Sequence, residues 1–401
     1  MRVAEMKARE DFDVLLMETL SQGWTQQYDT PIVVSGTSQG RDTAFRYHPF
    51  LGAYYTNRLG ARGRRFLRDA IRFTPNRRRL LAQWIATDIL GNKAGLRFLS
   101  QTGFWVAPPM ANIDQWVVIP GNQRIRVFDF SRMKTRVFLK DGFEPATMLR
   151  EIALRGSGKH GPFQSLDDFC PSGSFLEEPI LDGWDLNRIP PWIKRNRLQN
   201  QARKTLLRWL ERTEEFVERR AYVDDLVVQL QAATEEIRER YGDVIPLAMS
   251  WIEALEEFTH VLPDSLRIAQ THGDFQWGNV FYCRGEDSTV LIDWEHSGRR
   301  SFYYDLFTEA LEARRFTLDS DTFVRRLRSY LKGTRLGSPI DSIGGGKRVG
   351  LLAVFLLETL YFFMAESLSG PYKTPPEALL GVVKQWILIG DELQGLKEAS
   401  L

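Results

Sequence analysis

Between Trp116 and Leu139 the apolar positions come in short runs: Trp116-Val117-Val118-Ile119, then Ile125 to Phe130, then Thr135 to Leu139. Pro120-Gly121-Asn122-Gln123 and Ser131-Arg132-Met133-Lys134 separate them with turn chemistry, so the pattern predicts three short strands. Met148 to Leu154 then spaces its apolar residues at helical period, and Phe175-Leu176-Glu177-Glu178-Pro179-Ile180 reads as a further strand. From residue 182 onward helical period dominates, with amphipathic stretches near 192–218, 222–240, 245–260, 304–315, 320–331, 347–368 and 376–396. One hairpin interrupts them: Val280-Phe281-Tyr282 and Thr289 to Ile292 are β-branched and aromatic, and Arg284-Gly285-Glu286-Asp287-Ser288 between them is a turn. Upstream, helical patterns occur around Phe12 to Leu20 and Arg77 to Leu90. The expected class is α+β, with a largely helical extension over 1–113, a strand-rich small lobe over 114–181 and a mainly helical lobe over 182–401.

The hairpin carries the chemistry. His272-Gly273-Asp274 leads to Asn279 through Phe275, Gln276, Trp277 and Gly278, and Val290-Leu291-Ile292 delivers Asp293-Trp294-Glu295. An aspartate or asparagine beside a strand is ordinarily a turn former. The three together, at this spacing around one hairpin, are harder to obtain by chance. A carboxylate to orient an attacking hydroxyl, an amide oxygen and a second carboxylate are what phosphoryl transfer asks of a protein. The hairpin is expected to bring Asn279 and Asp293 to one end, and two hard oxygen donors suit magnesium, which takes the rest of its shell from water and phosphates.

These residues resemble the aminoglycoside phosphotransferase and choline kinase family, small-molecule kinases with a protein-kinase-like two-lobe fold. The resemblance runs from about residue 114 onward. It implies that Asp274 is the catalytic base, that Asn279 and Asp293 are the Mg2+ ligands, that His272 braces the catalytic loop, and that Asp305 in Tyr303-Tyr304-Asp305-Leu306 is structural. Protein kinases place an arginine after the histidine and a lysine two residues after the catalytic aspartate. Here those positions are Gly273 and Gln276, which favours a small-molecule or glycan hydroxyl as acceptor. Two other readings stay open: a protein Ser/Thr kinase, and a kinase-fold interaction protein that binds ATP without turnover.

Upstream, the resemblance makes Lys140, which ends the third strand, the lysine on the α- and β-phosphates, with Glu151 on the following helix as its partner. Glu178 and Ile180 then supply the carbonyl and amide that meet adenine, around a proline that has no amide hydrogen. The loop at Pro120 to Gln123 holds one glycine where protein kinases have several, so phosphate contact there falls to Gly121, the backbone, or Arg124 and Arg126. Gly344-Gly345-Gly346 lacks the preceding strand and following Lys-Ser or Lys-Thr of a phosphate loop, and reads as a linker.

Composition changes this picture little. The chain has 401 residues, 43% hydrophobic, with net charge +2, so it is long enough for substantial cores and its overall field selects no partner. Two cysteines, Cys170 and Cys283, are too few for a disulfide framework and fit a reducing compartment. Neither a signal peptide nor an apolar run of 18 residues is evident, so the chain is not expected to span a membrane and the expected location is cytoplasmic. One local bias stands out. Between Arg58 and Arg97, basic residues including Arg62, Arg64, Arg65, Arg68, Arg72, Arg77, Arg78 and Arg79 face only Asp69 and Asp88. Such a cluster is ordinarily a solvated or internally docked face. Among external partners an anionic membrane surface or glycan is favoured over nucleic acid.

Overall fold

Strands β5 (Trp116–Pro120), β6 (Arg124–Asp129) and β7 (Lys134–Leu139) form where the short apolar runs fall, and they are the middle of a nine-stranded antiparallel sheet. The computed structural model describes residues 6–7, 10–36, 45–48, 51–70, 102–156, 161–190, 192–242, 245–315 and 320–368. The chain groups into two compact units, Met1–Arg203 with Val280–Glu295, and Lys204–Asn279 with His296–Leu401.

In the first unit, helix α1 (Phe12–Tyr28) precedes β1 (Val33–Gly36), β2 (Phe45–His48) and β3 (Ala53–Tyr55), and α2 (Ala61–Ala70) precedes β4 (Gly103–Ala107). After β7 come α3 (Ala146–Gly156), β8 (Asp168–Phe169), β9 (Phe175–Pro179) and β10 (Gly183–Asp185). The sheet order is β1-β4-β2-β3-β5-β6-β7-β9-β8. The segment expected as a helical extension therefore supplies four strands to the same sheet as the small lobe. They are only three to five residues long, too short for alternation to declare itself. The helical pattern at Arg77 to Leu90 and the basic residues from Arg72 to Arg97 lie outside the described residues, as does the stretch 376–396.

Side chains alternate across a strand, and the two faces of this sheet take different partners. Ile125, Val127 and Phe138 pack with Phe12, Leu16, Leu20 and Trp24 of α1. Val137 and Leu139 belong with Met148 and Ile152 of α3 and with Leu176. Phe128 and Phe130 pack tilted against Phe66 of α2, with ring centres 4.6 and 5.3 Å away. Each of the fully buried side chains among them, such as Ile125, Phe138 and Met148, contributes roughly 1.5–3 kcal/mol, and together they fix which residues of β6 and β7 look towards α1 and which towards α3.

The second unit begins within α4 (Arg195–Arg212) and continues through β11 (Glu215–Glu218), α5 (Arg219–Tyr241), α6 (Ile245–Thr259) and β12 (Ser265–Thr271). The hairpin strands β13 (Val280–Cys283) and β14 (Ser288–Leu291) pair with β10 in the first unit. Then β15 (Gly298–Ser301), α7 (Tyr304–Ala310), α8 (Ser320–Leu331) and α9 (Gly345–Leu368) complete the second unit, where β11, β12 and β15 make an antiparallel sheet. Helical period near 192–218 ran on into Glu215–Glu218, which is strand: its Glu-Phe-Val-Glu alternates and pairs with β12.

Within α9, Lys347–Ala365 is long and apolar enough to cross a membrane by length and composition alone. Its apolar surface is used elsewhere. Leu352, Phe355, Leu356 and Leu357 are fully buried, and the helix packs on α5 and α6. Glu358, which interrupts the apolar run, accepts hydrogen bonds from Ser301 N at 2.5 Å, Ser301 Oγ at 2.6 Å and Tyr222 Oη at 2.6 Å. α9 is thus the core helix of its unit.

Candidate active site

In the second unit, β12 ends at Thr271 and the chain turns through His272, Gly273 and Asp274. Gly273 has φ +85°, a left-handed conformation, and a Cβ there would lie 1.9 Å from the carbonyl oxygen of His296. Only glycine fits. Its place after the histidine is thus a backbone requirement of this turn as well as a departure from protein kinases. Asp305, fully buried at the start of α7, accepts the amides of His272 at 2.6 Å and Gly273 at 2.9 Å and so pins the turn, the structural role expected of it. Burial raises the Asp305 carboxyl above its ordinary range even though His272 and these two amides pull it down. His272 is itself fully buried, and its Nδ1 accepts the amide of Asp274 at 3.3 Å.

Asp274 is held from several directions. Its Oδ2 accepts from Asn279 Nδ2 at 2.8 Å and from Gln276 Nε2 at 3.0 Å, while Arg314 Nε lies 3.1 Å from Oδ1. Asn279 Nδ2 also donates to the Asp274 carbonyl at 2.9 Å. With its amide nitrogen so engaged, Asn279 has only its oxygen left to offer a cation. Arg314 was not legible in the sequence; it donates to the carbonyl of Gly273 and to Tyr304 Oη at 2.9 Å, and lies 3.4 Å from the centre of the Phe362 ring.

In the first unit, Val280 faces Leu291 across the β13–β14 ladder, so the chain enters this hairpin after Asn279 and leaves it before Asp293 at the same end. Asp293 has φ +67°, a conformation that costs a non-glycine residue energy and clusters at functional positions. The next residue is anchored: Trp294 is buried, donates from Nε1 to the Leu291 carbonyl at 2.9 Å and meets Phe163 edge to face at 5.4 Å. Arg126 Nη2 reaches Asp293 Oδ1 at 2.7 Å, and Arg124 Nε lies 3.1 Å from Glu295 Oε2. Burial and the neighbouring Glu295 nevertheless raise the Asp293 carboxyl above its ordinary range, against the pull of Arg126 and Arg124.

The expected pair Lys140–Glu151 is not formed. Lys140 is buried with its Nζ 2.5 Å from Glu10 Oε1, 3.9 Å from Met6 Sδ and 5.4 Å from the centre of the Phe12 ring. Glu151 instead binds Arg124 at 2.5 Å and Arg155 at 2.7 Å. Strand parity is the reason. Lys140 follows Phe138 by two residues and shares its face, towards α1, whereas Glu151 belongs to α3 on the opposite face. Arg124 sits opposite Leu139, on the α3 face, and so reaches the carboxylate that Lys140 cannot. Burial works against the Glu151 anion, but the two guanidiniums outweigh it and its carboxyl is lowered.

The hinge assignment also changes. The Ile180 amide donates to the Met133 carbonyl at 2.9 Å, and the antiparallel register Thr135↔Glu178 places the Glu178 main chain in the same ladder. The Ile180 amide is therefore not spare for a base, and the Glu178 carboxylate is taken by Arg155 Nη2 at 2.6 Å. Gly121 forms the β5–β6 turn, its amide donating to the Arg124 carbonyl at 2.7 Å; a Cβ there would come 3.1 Å from that carbonyl and 3.5 Å from Arg126 Nη1.

No family model and no curated protein matches the chain. Among solved structures it is similar to an ethanolamine kinase from Plasmodium vivax, with 13% identity and TM-score 0.45 over 82% of this chain and 94% of that one. It is also similar to choline kinase LicA from Streptococcus pneumoniae, with 15% identity and TM-score 0.39 over 67% and 94%. Aminoglycoside phosphotransferase APH(3'')-Id from Streptomyces rimosus gives 14% identity and TM-score 0.38 over 61% and 92%. These likenesses are too loose to carry a functional argument, which rests on the residues.

Proposed function

We propose that the chain is an ATP-dependent phosphotransferase that moves the γ-phosphoryl group to a hydroxyl of a small molecule or glycan precursor. The observation that carries this reading is the setting of Asp274, whose carboxylate is fixed by Asn279, Gln276 and Arg314 on a turn pinned by Asp305. A carboxylate oriented in this way suits acceptance of a proton from an alcohol. As the alcohol oxygen bonds to phosphorus in line, the bond to the bridging oxygen breaks, and its electron pair leaves with ADP.

The oxygen donors fit a hard cation. Asn279 offers an amide oxygen and Asp293 a carboxylate, hard donors of the kind magnesium takes beside phosphate and water. When bound, magnesium would neutralise phosphate charge, with Asn279 and Asp293 as the residues that would hold it. Gln276 in place of lysine supports a small acceptor over a protein one.

The test is transfer from labelled ATP to a panel of choline, aminoglycosides, sugars and lipopolysaccharide or capsule precursors, by wild type and Asp274→Asn. Transfer by wild type to one class, reduced by about 10² or more in the variant, supports the reading. Near-normal turnover in Asp274→Asn removes that residue from the mechanism, and nucleotide binding without transfer to any acceptor leaves an interaction protein.

A further inference from the structure

We infer that Arg126, on β6, is the cation that contacts the nucleotide phosphates, the place that the resemblance gives to Lys140. The inference rests on the phosphotransferase reading above. Lys140 is enclosed on the α1 face of the sheet, paired with Glu10 at 2.5 Å, and its side chain is 0% exposed. It has no path to a ligand on the α3 face without abandoning a buried carboxylate.

The α3 face carries the alternative. Arg124 and Arg126 are two residues apart on β6 and therefore share a face. That face also receives Glu151 from α3, and Asp293 and Glu295 from the segment after β14, all within the first unit. The two arginines differ in what they can do. Arg124 is 3% exposed and clamped between Glu151 at 2.5 Å and Glu295 at 3.1 Å, which makes it the group that positions both carboxylates. Arg126 is 31% exposed and touches Asp293 through Nη2 at 2.7 Å, while its Nη1 lies at the Gly121 turn.

A guanidinium that spans a small-residue turn and the carboxylate proposed to hold the cation stands where phosphate oxygens would arrive. Its planar fork suits two of them at once, which an ammonium does not. With phosphate present, one arm exchanges the Asp293 oxygen for a phosphate oxygen, so the carboxylate becomes available to the cation as the nucleotide binds. No covalent bond is made or broken in this step.

The experiment compares ATP, ADP and adenosine binding by calorimetry in full-length wild type, Arg126→Ala and Arg126→Lys, with thermal unfolding of each protein as the control for folding. Arg126→Ala is expected to weaken ATP and ADP about tenfold to hundredfold, the worth of one charge-assisted contact, and to leave adenosine unchanged. Arg126→Lys should recover part of the loss. Equal weakening of adenosine would mean a merely structural role and overturn the inference. An undiminished preference for ATP over adenosine in Arg126→Ala would overturn it too, while leaving the phosphotransferase reading intact. A wild type with no such preference would sink both.

Discussion

Arg314 Nε stands 3.1 Å from Asp274 Oδ1, and both side chains are largely buried, at 7% and 16% exposure. The guanidinium is fixed by the Gly273 carbonyl and Tyr304 Oη on one side and by the Phe362 ring on the other. The ion pair on Oδ1, with Asn279 and Gln276 on Oδ2, thus sets the Asp274 carboxylate beside a guanidinium that is itself anchored. Protein kinases carry a lysine two residues after the aspartate; here that residue is Gln276, and a cation reaches the same carboxylate from a distant point in the chain.

Arg314→Ala should thus lower transfer by roughly 10- to 10²-fold through misplacement of the base, with Arg314→Lys intermediate because the ammonium lacks the fork. Steady-state kinetics read the effect chiefly in kcat, since Arg314 has no contact with nucleotide in this reading. A variant that keeps its melting temperature and its kcat would show that Gln276 and Asn279 suffice to orient Asp274.

The proposed ligands make separable predictions. Asp293→Ala removes a full negative charge, whereas Asn279→Ala removes a neutral dipole, so magnesium-dependent ATP affinity should fall further in the first. Calorimetry with and without magnesium measures it. Unchanged magnesium dependence in Asp293→Ala would exclude that carboxylate from the shell.

Asp274, Asn279 and the hairpin were legible because their chemistry is local: a turn, five residues, and two short apolar strands whose register Val280↔Leu291 follows from the turn between them. Lys140 and Glu151 were legible as residue types but not as partners. Which face a residue at the end of β7 takes depends on a register with β6, and a shift of one position reverses it. The same applies to Arg124, whose meaning appears only once Leu139 is known to lie opposite. Arg314 is forty-one residues from Gly273, and nothing in its neighbours announces the contact. The N-terminal strands escaped for a different reason: at the length of Ala53–Tyr55 no periodicity exists to read, and burial on both faces removes the alternation.

Lys140 itself predicts a stability effect. Breaking a buried ion pair by removing one partner leaves the other charge uncompensated and costs about 3–5 kcal/mol, whereas replacing both by neutral groups of similar shape is much milder. Lys140→Met should therefore destabilise strongly, and Lys140→Met with Glu10→Gln should recover most of the loss. Urea unfolding of the two proteins and of Glu10→Gln closes the cycle. Additive losses would mean that the 2.5 Å contact is not an energetic coupling.

Glu358 supplies the pH-dependent prediction. It is 2% exposed in the middle of α9, and burial raises its carboxyl above the ordinary 4.5 despite hydrogen bonds from Ser301 and Tyr222 that favour the anion. A carboxyl whose folded pKa exceeds its unfolded one binds its proton more readily in the folded chain. Between 4.5 and the folded value, then, the folded state gains relative to the unfolded as pH falls; the contribution is complete below 4.5 and is lost as pH rises through the folded pKa. Glu358→Gln removes this titration. It also presents an amide to donors that wild type satisfies with two carboxylate oxygens, so a pH-independent cost of about 1–3 kcal/mol is expected from the mismatched contact. The signature is the difference between the two proteins: wild type minus Glu358→Gln stability, from urea unfolding at intervals between pH 8 and pH 4.5, should grow as the pH is lowered. A flat difference would show that the Glu358 carboxyl titrates alike folded and unfolded, and that the bonds from Ser301 and Tyr222 fully offset its burial.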